Sequence, residues 1–326
     1  MKLFELAIII LNYKTPELVI AVLESLETEI DPISMQVIVV DNDSRDDSLI
    51  DLNKWVQENH AATWIKLIDA GHNTGFSGGN NVGIRSVKAE HYLLLNSDTI
   101  VRPGAIQSLL DAANQNPDAG MISPRLEWED ATPQESCFRF HTPISELISS
   151  ASTSVVTKFF SNYVVAQPVI EETDFYQWTS FACVLIRAEV LEQVGLLDDE
   201  FFMYFEDVEF SYRTVRAGWK ILNLPYAHVV HLRGGSSPLK SQAKLRKRLP
   251  RYFYESRTRY FYLLYGRSGL LAANILWTIG ALVAAIRVLF SKRYQSNIAE
   301  YQWRDIWINF FTPNKPYIHP DFYAKT

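Results

Sequence analysis

Short, wholly apolar runs alternate with amphipathic stretches of helical length over the first 125 residues, and few architectures accept that rhythm. The runs are "LAIIIL" (6–11), "MQVIVVDN" (35–42), "WIKLIDA" (64–70), "HYLLLNSD" (91–98) and "AGMISPRL" (119–126), and each reads as a strand. Between them, "TPELVIAVLESLE" (15–27) puts Leu18, Val22 and Leu26 on one helix face, with Thr15 as cap and Pro16 in the first turn. Further helices are expected in "DSRDDSLIDLNKWVQEN" (43–59) and "PGAIQSLLDAANQ" (103–115), while "GFSGGNNVGIRSV" (75–87) reads as a glycine-rich loop entering a helix. Continuously apolar strands joined by helices imply β-α-β units and a mostly parallel sheet covered on both faces. Ligands of such sheets sit at the carboxyl ends of the strands. Asp41, Asp69 and Asp98 close three of them. An aspartate there is often a simple turn former, which suffices for Asp69 alone, but three together point to one crevice.

Several classes are excluded. A net charge of −6 does not suit a general nucleic-acid binder. The only cysteines, Cys137 and Cys183, have no metal-ligand spacing and suit a reducing compartment. The start, "MKLFELAIIILNYK", lacks the pattern of a signal peptide. "NYKTPE" follows the first strand where a dinucleotide-binding fold would carry its glycine fingerprint.

Four groups of residues carry chemistry. Asp98, in "LLLNSDTIV" (93–101), is placed to hold a divalent cation together with phosphate oxygens, as Mg²⁺ and Mn²⁺ prefer. Asp41 can accept from a ribose hydroxyl or a base N–H. The five glycines of "GHNTGFSGGNNVGI" (71–84) allow close backbone approach to a phosphate or sugar. "FFMYFEDVEF" (201–210) sets Glu206, Asp207 and Glu209 among five aromatics. Helical spacing puts Glu206 and Glu209 on one face and Asp207 elsewhere. Such acids are either helix-dipole partners or, in an aromatic pocket, carboxylates raised toward a useful base. The helix holding them should run from about Glu206 to Ala217, stopped by Gly218. "QWTSFACVLIRAEVLEQVG" (177–195) reads as an extended run and a short helix, "WKILNLPYAHVVHL" (219–232) as a strand pair, and 126–176 yields no assignment. His228 and His231 fall on opposite faces of a strand, so at most one faces a site.

Six stretches occur in an order that resembles the family 2 glycosyltransferases, in their bacterial rhamnosyltransferase-like branch. They are "IIILNYKTPELVIAVLESL", "VIVVDNDSRDDS", "NTGFSGGNNVGI", "LLLNSDTIV", "SFACVLIRAEVLEQVGLLDDEFFMYFEDVEFSYRTVRAGWKI" and "HLRGGSS", covering roughly residues 5–237. The resemblance implies a GT-A fold, with a nucleotide-binding half over 1–125 and an acceptor and catalytic half over 126–237. It implies inverting transfer from a nucleotide-diphosphate sugar, dTDP-rhamnose or a UDP-sugar, to a hydroxyl of a glycan or lipid-linked acceptor. Asp41 then resembles the acid that holds the nucleoside. Asn73, Gly75, Phe76 and Asn80 match the loop over nucleotide and sugar, and Asn12 joins the donor-binding set. Asn96-Ser97-Asp98 matches the D-x-D element, with Asn for its first acid, so that Mg²⁺ or Mn²⁺ rests on Asp98 and His231. Asp207 matches the catalytic base, Glu206 supports it or accepts from the acceptor, and Trp178 joins the acceptor side. Phe181 stands where relatives often have glycine.

After residue 237 the character changes. Eight basic residues against one acid lie between Lys240 and Arg259, followed by the uncharged "GLLAANILWTIGALVAAI" (269–286). Eighteen such residues suit a short membrane span, an interfacial helix or a buried core helix. The basic run favours a membrane-associated extension over 238–326 at the cytoplasmic face of the plasma membrane, which suits cell-surface polysaccharide synthesis on a lipid carrier. Two rivals stand beside the transferase: a sugar nucleotidyltransferase and a non-catalytic sugar-binding scaffold.

Overall fold

A computed structural model describes residues 2–232, 245–290 and 296–323. The strands are β1 (Leu3–Asn12), β2 (Met35–Asp41), β3 (Ile65–Asp69), β4 (Lys88–Asn96), β5 (Thr99–Val101), β6 (Ala119–Glu127), β7 (Cys137–Phe138), β8 (Asp174–Tyr176), β9 (Trp178–Thr179), β10 (Cys183–Arg187) and β11 (Lys220–His231). The helices are α1 (Pro16–Leu26), α2 (Ser48–Glu58), α3 (Gly75–Arg85), α4 (Ala105–Gln115), α5 (Pro143–Ala151), α6 (Ser154–Phe159), α7 (Ala188–Val194), α8 (Glu206–Arg216), α9 (Arg251–Phe290) and α10 (Gln302–Asp305).

The chain divides into two compact units. The first takes residues 1–138, 168–199 and 206–236, and its nine-stranded sheet runs β3-β2-β1-β4-β10-β6-β11-β5, with β8 added on β11. The half β3-β2-β1-β4 is parallel, as the apolar strands require. Beyond it β10 enters antiparallel to both β4 and β6, and β6 pairs parallel with β11. Strand alternation divides the core. Ile8 and Ile10 pack with Val22, Leu23, Leu52 and Leu109 on one face of the sheet, and Ala7 and Ile9 with Ile84, Val190 and Phe210 on the other. All four residues Ala7–Ile10 are fully buried, which explains why this strand shows no apolar–polar alternation.

Two local expectations change. The glycine-rich segment is not a loop: Gly75 already opens α3, and the next ten residues are helical. Its glycines serve helix–sheet contact, because a Cβ on Gly79 would meet Leu11, and one on Gly83 would meet Ile9 and Val40. Overpacking against these branched core side chains costs about 1–3 kcal/mol, more than the ~1 kcal/mol that alanine gains over glycine in a helix. Gly83→Ala is therefore expected to lower Tm by a few degrees in a thermal melt; an unchanged or higher Tm would show that Ile9 can yield. The second change concerns 219–232. It forms one long strand, with a register break between Leu224 and His228 in place of a turn.

The second unit takes 139–167, 200–205 and 237–326. Its helix α9 breaks at Gly266, where φ is 67° and ψ −170°, a conformation open to glycine. After the break one face packs on α5: Ala273, Asn274 and Ala284 are fully buried, and a Cβ on Gly280 would meet Ser150 and the backbone of Leu147 and Ala151. The core-helix reading of this segment thus holds for one face only. Lys240, Lys244, Lys292 and Arg293, and the end of "HLRGGSS" after Leu232, lie outside the described residues.

Candidate active site

Asn12, Asp41 and Asn96 end three adjacent strands, in register Asn12↔Asp41 and Leu11↔Asn96. Asn12 Nδ2 donates to Asp41 Oδ1 (2.6 Å), which also accepts from Ser44 Oγ (2.5 Å), while Ser44 N donates to Asp41 Oδ2 (3.0 Å). Asn12 Oδ1 accepts from Thr15 N, and Thr15 Oγ1 reaches Ser97 Oγ at 3.4 Å. This network is buried: Asn12, Asp41, Ser44 and Ser97 are each at most 5% exposed. A buried carboxylate fixed in this way presents one geometry to a ligand. Asp69 has the bland role expected of it alone, since it is exposed and caps a turn by accepting from Gly71 N (2.7 Å).

The segment after β3 is latched to β2 by Asn42, which the sequence reading did not single out. Asn42 Nδ2 donates to Asn73 Oδ1 and to Gly75 O, both at 3.0 Å, and its Oδ1 accepts from Thr74 N (3.1 Å). Asn73 in turn accepts from Gly75 N (2.9 Å), where Gly75 takes φ +69° to start α3. Asn80 turns inward, and its Nδ2 bonds Phe76 O one helical turn back. Phe76 packs, half-buried, on the core. The neighbour Asn81 clamps Leu197 through both N and O.

Asp98 lies in the tight turn between β4 and β5, and its carbonyl accepts from Leu232 N (2.9 Å) at the end of β11. This brings His231 beside it, with Nε2 3.6 Å from Asp98 Oδ1. Both residues are buried, and His231 Nδ1 has no hydrogen-bond partner among the described residues. Gln134 holds the backbone there, donating to His231 O (2.7 Å) and Glu127 O (3.0 Å). His228 points the other way, to Glu127 Oε2 at 3.2 Å, as strand alternation expects. Arg125 and Arg102 also bind Glu127 and, against its burial, hold its carboxyl below the usual range. That cluster is structural. One carboxylate and one imidazole fit a divalent ion that takes its remaining ligands from phosphate oxygens and water, and no group of three potential metal ligands occurs among the described residues.

The three acids of α8 separate. Glu209 forms a two-pronged ion pair with Arg213 (2.8 and 3.0 Å), which also donates to Leu196 O, so this pair fastens α8 to the loop after α7. Glu206 is 6% exposed, and its Oε2 has no hydrogen-bond partner among the described residues. Burial, then the adjacent Asp207, pushes its carboxyl well above the usual range. Asp207 is half-buried; its Oδ1 accepts from Val208 N (2.8 Å), yet burial pushes its pKa up to about 6. A carboxylate stabilised chiefly by the helix dipole would be held low, and both shifts run the other way. Just before them Tyr204 and Phe205 take φ of 70° and 67°. Two bulky residues in succession in the left-handed region store strain, a mark of functional sites. Glu206→Gln should raise Tm at pH 7.5, because burial penalises the charge that this carboxyl carries freely in the unfolded chain. The gain should fade toward pH 4, where the unfolded chain also holds this proton.

Helix α8 packs on β9, and Phe210 meets Phe181 edge-on with ring centroids 6.0 Å apart. Phe181 thus fills the core. Trp178 stacks on Phe138, centroids 4.2 Å apart, and is 8% exposed, so little of its ring is open to a sugar. Ala182, in the turn between β9 and β10, accepts at its carbonyl from Asn96 N (2.9 Å), which ties that turn to the end of β4.

Solved structures of similar fold are GT-A glycosyltransferases. The mannosyltransferase PcManGT from Pyrobaculum calidifontis, in complex with GDP-Man and Mn²⁺, matches with TM-score 0.53 at 14% identity over 95% of this chain and 86% of its own. TarS 1–349 of S. aureus matches with TM-score 0.54 at 14% identity over 95% and 81%. The fold is therefore GT-A. In sequence, the family described as "Glycosyltransferase like family 2" matches residues 5–252, and the chain belongs to it. The low-salt glycan biosynthesis hexosyltransferase Agl10 of Haloferax volcanii is 30% identical over 231 residues, 70% of this chain and 67% of that protein. The N-acetylglucosaminyl-diphospho-decaprenol L-rhamnosyltransferase of Mycobacterium tuberculosis is 28% identical over 192 residues, 57% of this chain and 59% of its own length. The protein is a glycosyltransferase, of the rhamnosyltransferase-like kind.

Proposed function

We propose that the protein transfers a sugar from a nucleotide diphosphate to a hydroxyl of a glycan or lipid-linked acceptor, with inversion, at the cytoplasmic face of a membrane in cell-surface polysaccharide synthesis. The observation that carries the mechanism is the contrast between two carboxylates of one unit, Asp98 beside His231 and Asp207 with its pKa at about 6. Asp41, fixed by Asn12 and Ser44, accepts from the nucleoside; Asn73 and Gly75, held by Asn42, line the donor. Asp98 and His231 would hold Mg²⁺ or Mn²⁺, which neutralises charge on the leaving diphosphate. Asp207 takes the proton of the acceptor hydroxyl as that oxygen attacks the anomeric carbon opposite the diphosphate, and one displacement inverts the centre. Glu206, its carboxyl raised by burial, supports Asp207 or binds the acceptor.

The donor reading draws support from the rhamnosyltransferase and hexosyltransferase relatives and leaves dTDP-rhamnose and UDP-sugars as the two arms to test. Incubation with each nucleotide sugar and Mn²⁺ should release nucleoside diphosphate slowly from one of them. Nucleoside monophosphate or pyrophosphate exchange would mark a nucleotidyltransferase, and no turnover with any donor or acceptor would mark a binding protein.

A further inference from the structure

The second unit carries an exposed apolar surface. Beyond Gly266, Leu271, Ile275, Ile279, Leu282, Ile286 and Leu289 are each at least 40% exposed. At 3.6 residues per turn they fall on one arc of about 80° that holds no charged side chain over five turns. The opposite face is committed to protein. Asn274, fully buried, donates to Ile306 O (3.0 Å) and accepts from Arg257 Nη1 (2.8 Å). Arg257 is in turn paired with Glu146 of α5 (2.6 Å). Arg287, near the far end, donates to Ser152 O (2.6 Å). Trp303, Phe311, Phe159 and Leu263 of the same unit are also exposed.

We infer that this arc lies flat in one leaflet of an anionic bilayer, as a half-immersed anchor. The helix is long and apolar enough to cross a membrane by composition. A crossing, however, would draw α5 and the Arg257–Glu146 pair into hydrocarbon with it, and buried charge there is costly. A second copy of the chain is the other natural cover for an apolar face, and charge decides against it. Residues 238–326 hold 15 Lys and Arg against 4 Asp and Glu, whereas residues 1–237 hold 16 against 33. Two tails of net +11 repel each other, while an anionic leaflet attracts each of them. Apolar arc, exposed tryptophan and clustered basic charge are the three components of an interfacial anchor.

This deepens the membrane part of the reading above and is measured without turnover, so its failure leaves transfer standing. The full chain is sedimented with phosphatidylcholine vesicles with and without one-third phosphatidylglycerol. Binding is expected to the anionic vesicles and to weaken with salt, and Leu282→Glu with Ile286→Glu should weaken it by about tenfold or more. Transfer to a short-chain soluble acceptor should stay unchanged in that variant. Should the double variant misfold, an environment-sensitive dye attached in Leu271→Cys, Ile279→Cys or Leu289→Cys gives the same information. A flat helix puts all three at one shallow depth by lipid-borne quenchers. A graded depth with a deep centre would mean a span. Absence of binding by the parent chain, or a dimer that the double variant dissociates, would overturn the inference.

Discussion

Asp207→Asn is expected to lower kcat for transfer by about 10³-fold, within the range a positioned general base contributes, while the affinity for nucleoside diphosphate with Mn²⁺ stays within about twofold. The asymmetry follows from the placement of the two carboxylates. Asp207 opens α8, whereas the donor-side residues lie at the ends of β1, β2 and β4 and in the β4–β5 turn. A parent enzyme that uses Asp207 as base should lose kcat about tenfold per pH unit below about 6, because the charged form is the active one and burial makes it vanish at a higher pH than an ordinary aspartate would. The same burial sets a second, opposite effect. The native carboxyl holds its proton more tightly than the unfolded one (about 6 against 3.8), so its charge at pH 7.5 destabilises the fold. Asp207→Asn should therefore raise Tm at pH 7.5, with the gain shrinking as pH falls through 6 toward 4. An inactive but stabilised protein that still binds donor is the full expected signature. Loss of nucleotide binding, or an activity profile flat through pH 6, would remove Asp207 from the role.

Backbone periodicity carried most of the fold and the residue types carried part of the site. Buried parallel strands announce themselves because both faces are apolar, and "LAIIIL" could be little else. The antiparallel entry of β10 was not legible, since strand direction depends on where a chain returns and not on local pattern. Glycine misled at α3 for a physical reason: the residue that frees a loop also lets a helix approach a sheet closely, and Gly79 and Gly83 serve the second purpose against Leu11 and Ile9. The break in β11 could not be told from a turn, because Pro225 and Tyr226 suit either. Among site residues, acids at strand ends could be named in advance, but the amides that hold them could not. Asn42 sits inside "VIVVDNDS" beside Asp41, and only the fold reveals that it faces Asn73 and Gly75, thirty residues on. Trp178 shows the reverse error to guard against, since an aromatic near a candidate pocket is as readily a core residue, here stacked on Phe138. The burial that raises Asp207 and Glu206 above the range of ordinary carboxylates was foreshadowed only by five neighbouring aromatics.

Asp98→Ala and His231→Ala should each weaken Mn²⁺-dependent binding of nucleoside diphosphate by about 10–100-fold, the loss typical when a metal site is impaired, with kcat/KM falling at least as far. Two lone-pair donors, Nε2 and Oδ1, stand 3.6 Å apart in a buried turn that Leu232 N and Gln134 pin from the backbone. Neither donor set is complete for a divalent ion, so the ion and the diphosphate complete each other's coordination. Three consequences separate this from a structural role of the two residues. Binding measured in chelator should be weak and equal in parent and variants. Added Mn²⁺ should sharpen it only in the parent. The double variant should be no worse than the worse single one, because two ligands of one ion do not act independently. A merely structural pair would instead lower Tm and weaken chelated and metal-loaded binding alike. Parent-like Mn²⁺ dependence in Asp98→Ala would place the ion, and with it the departure of the diphosphate, on other residues.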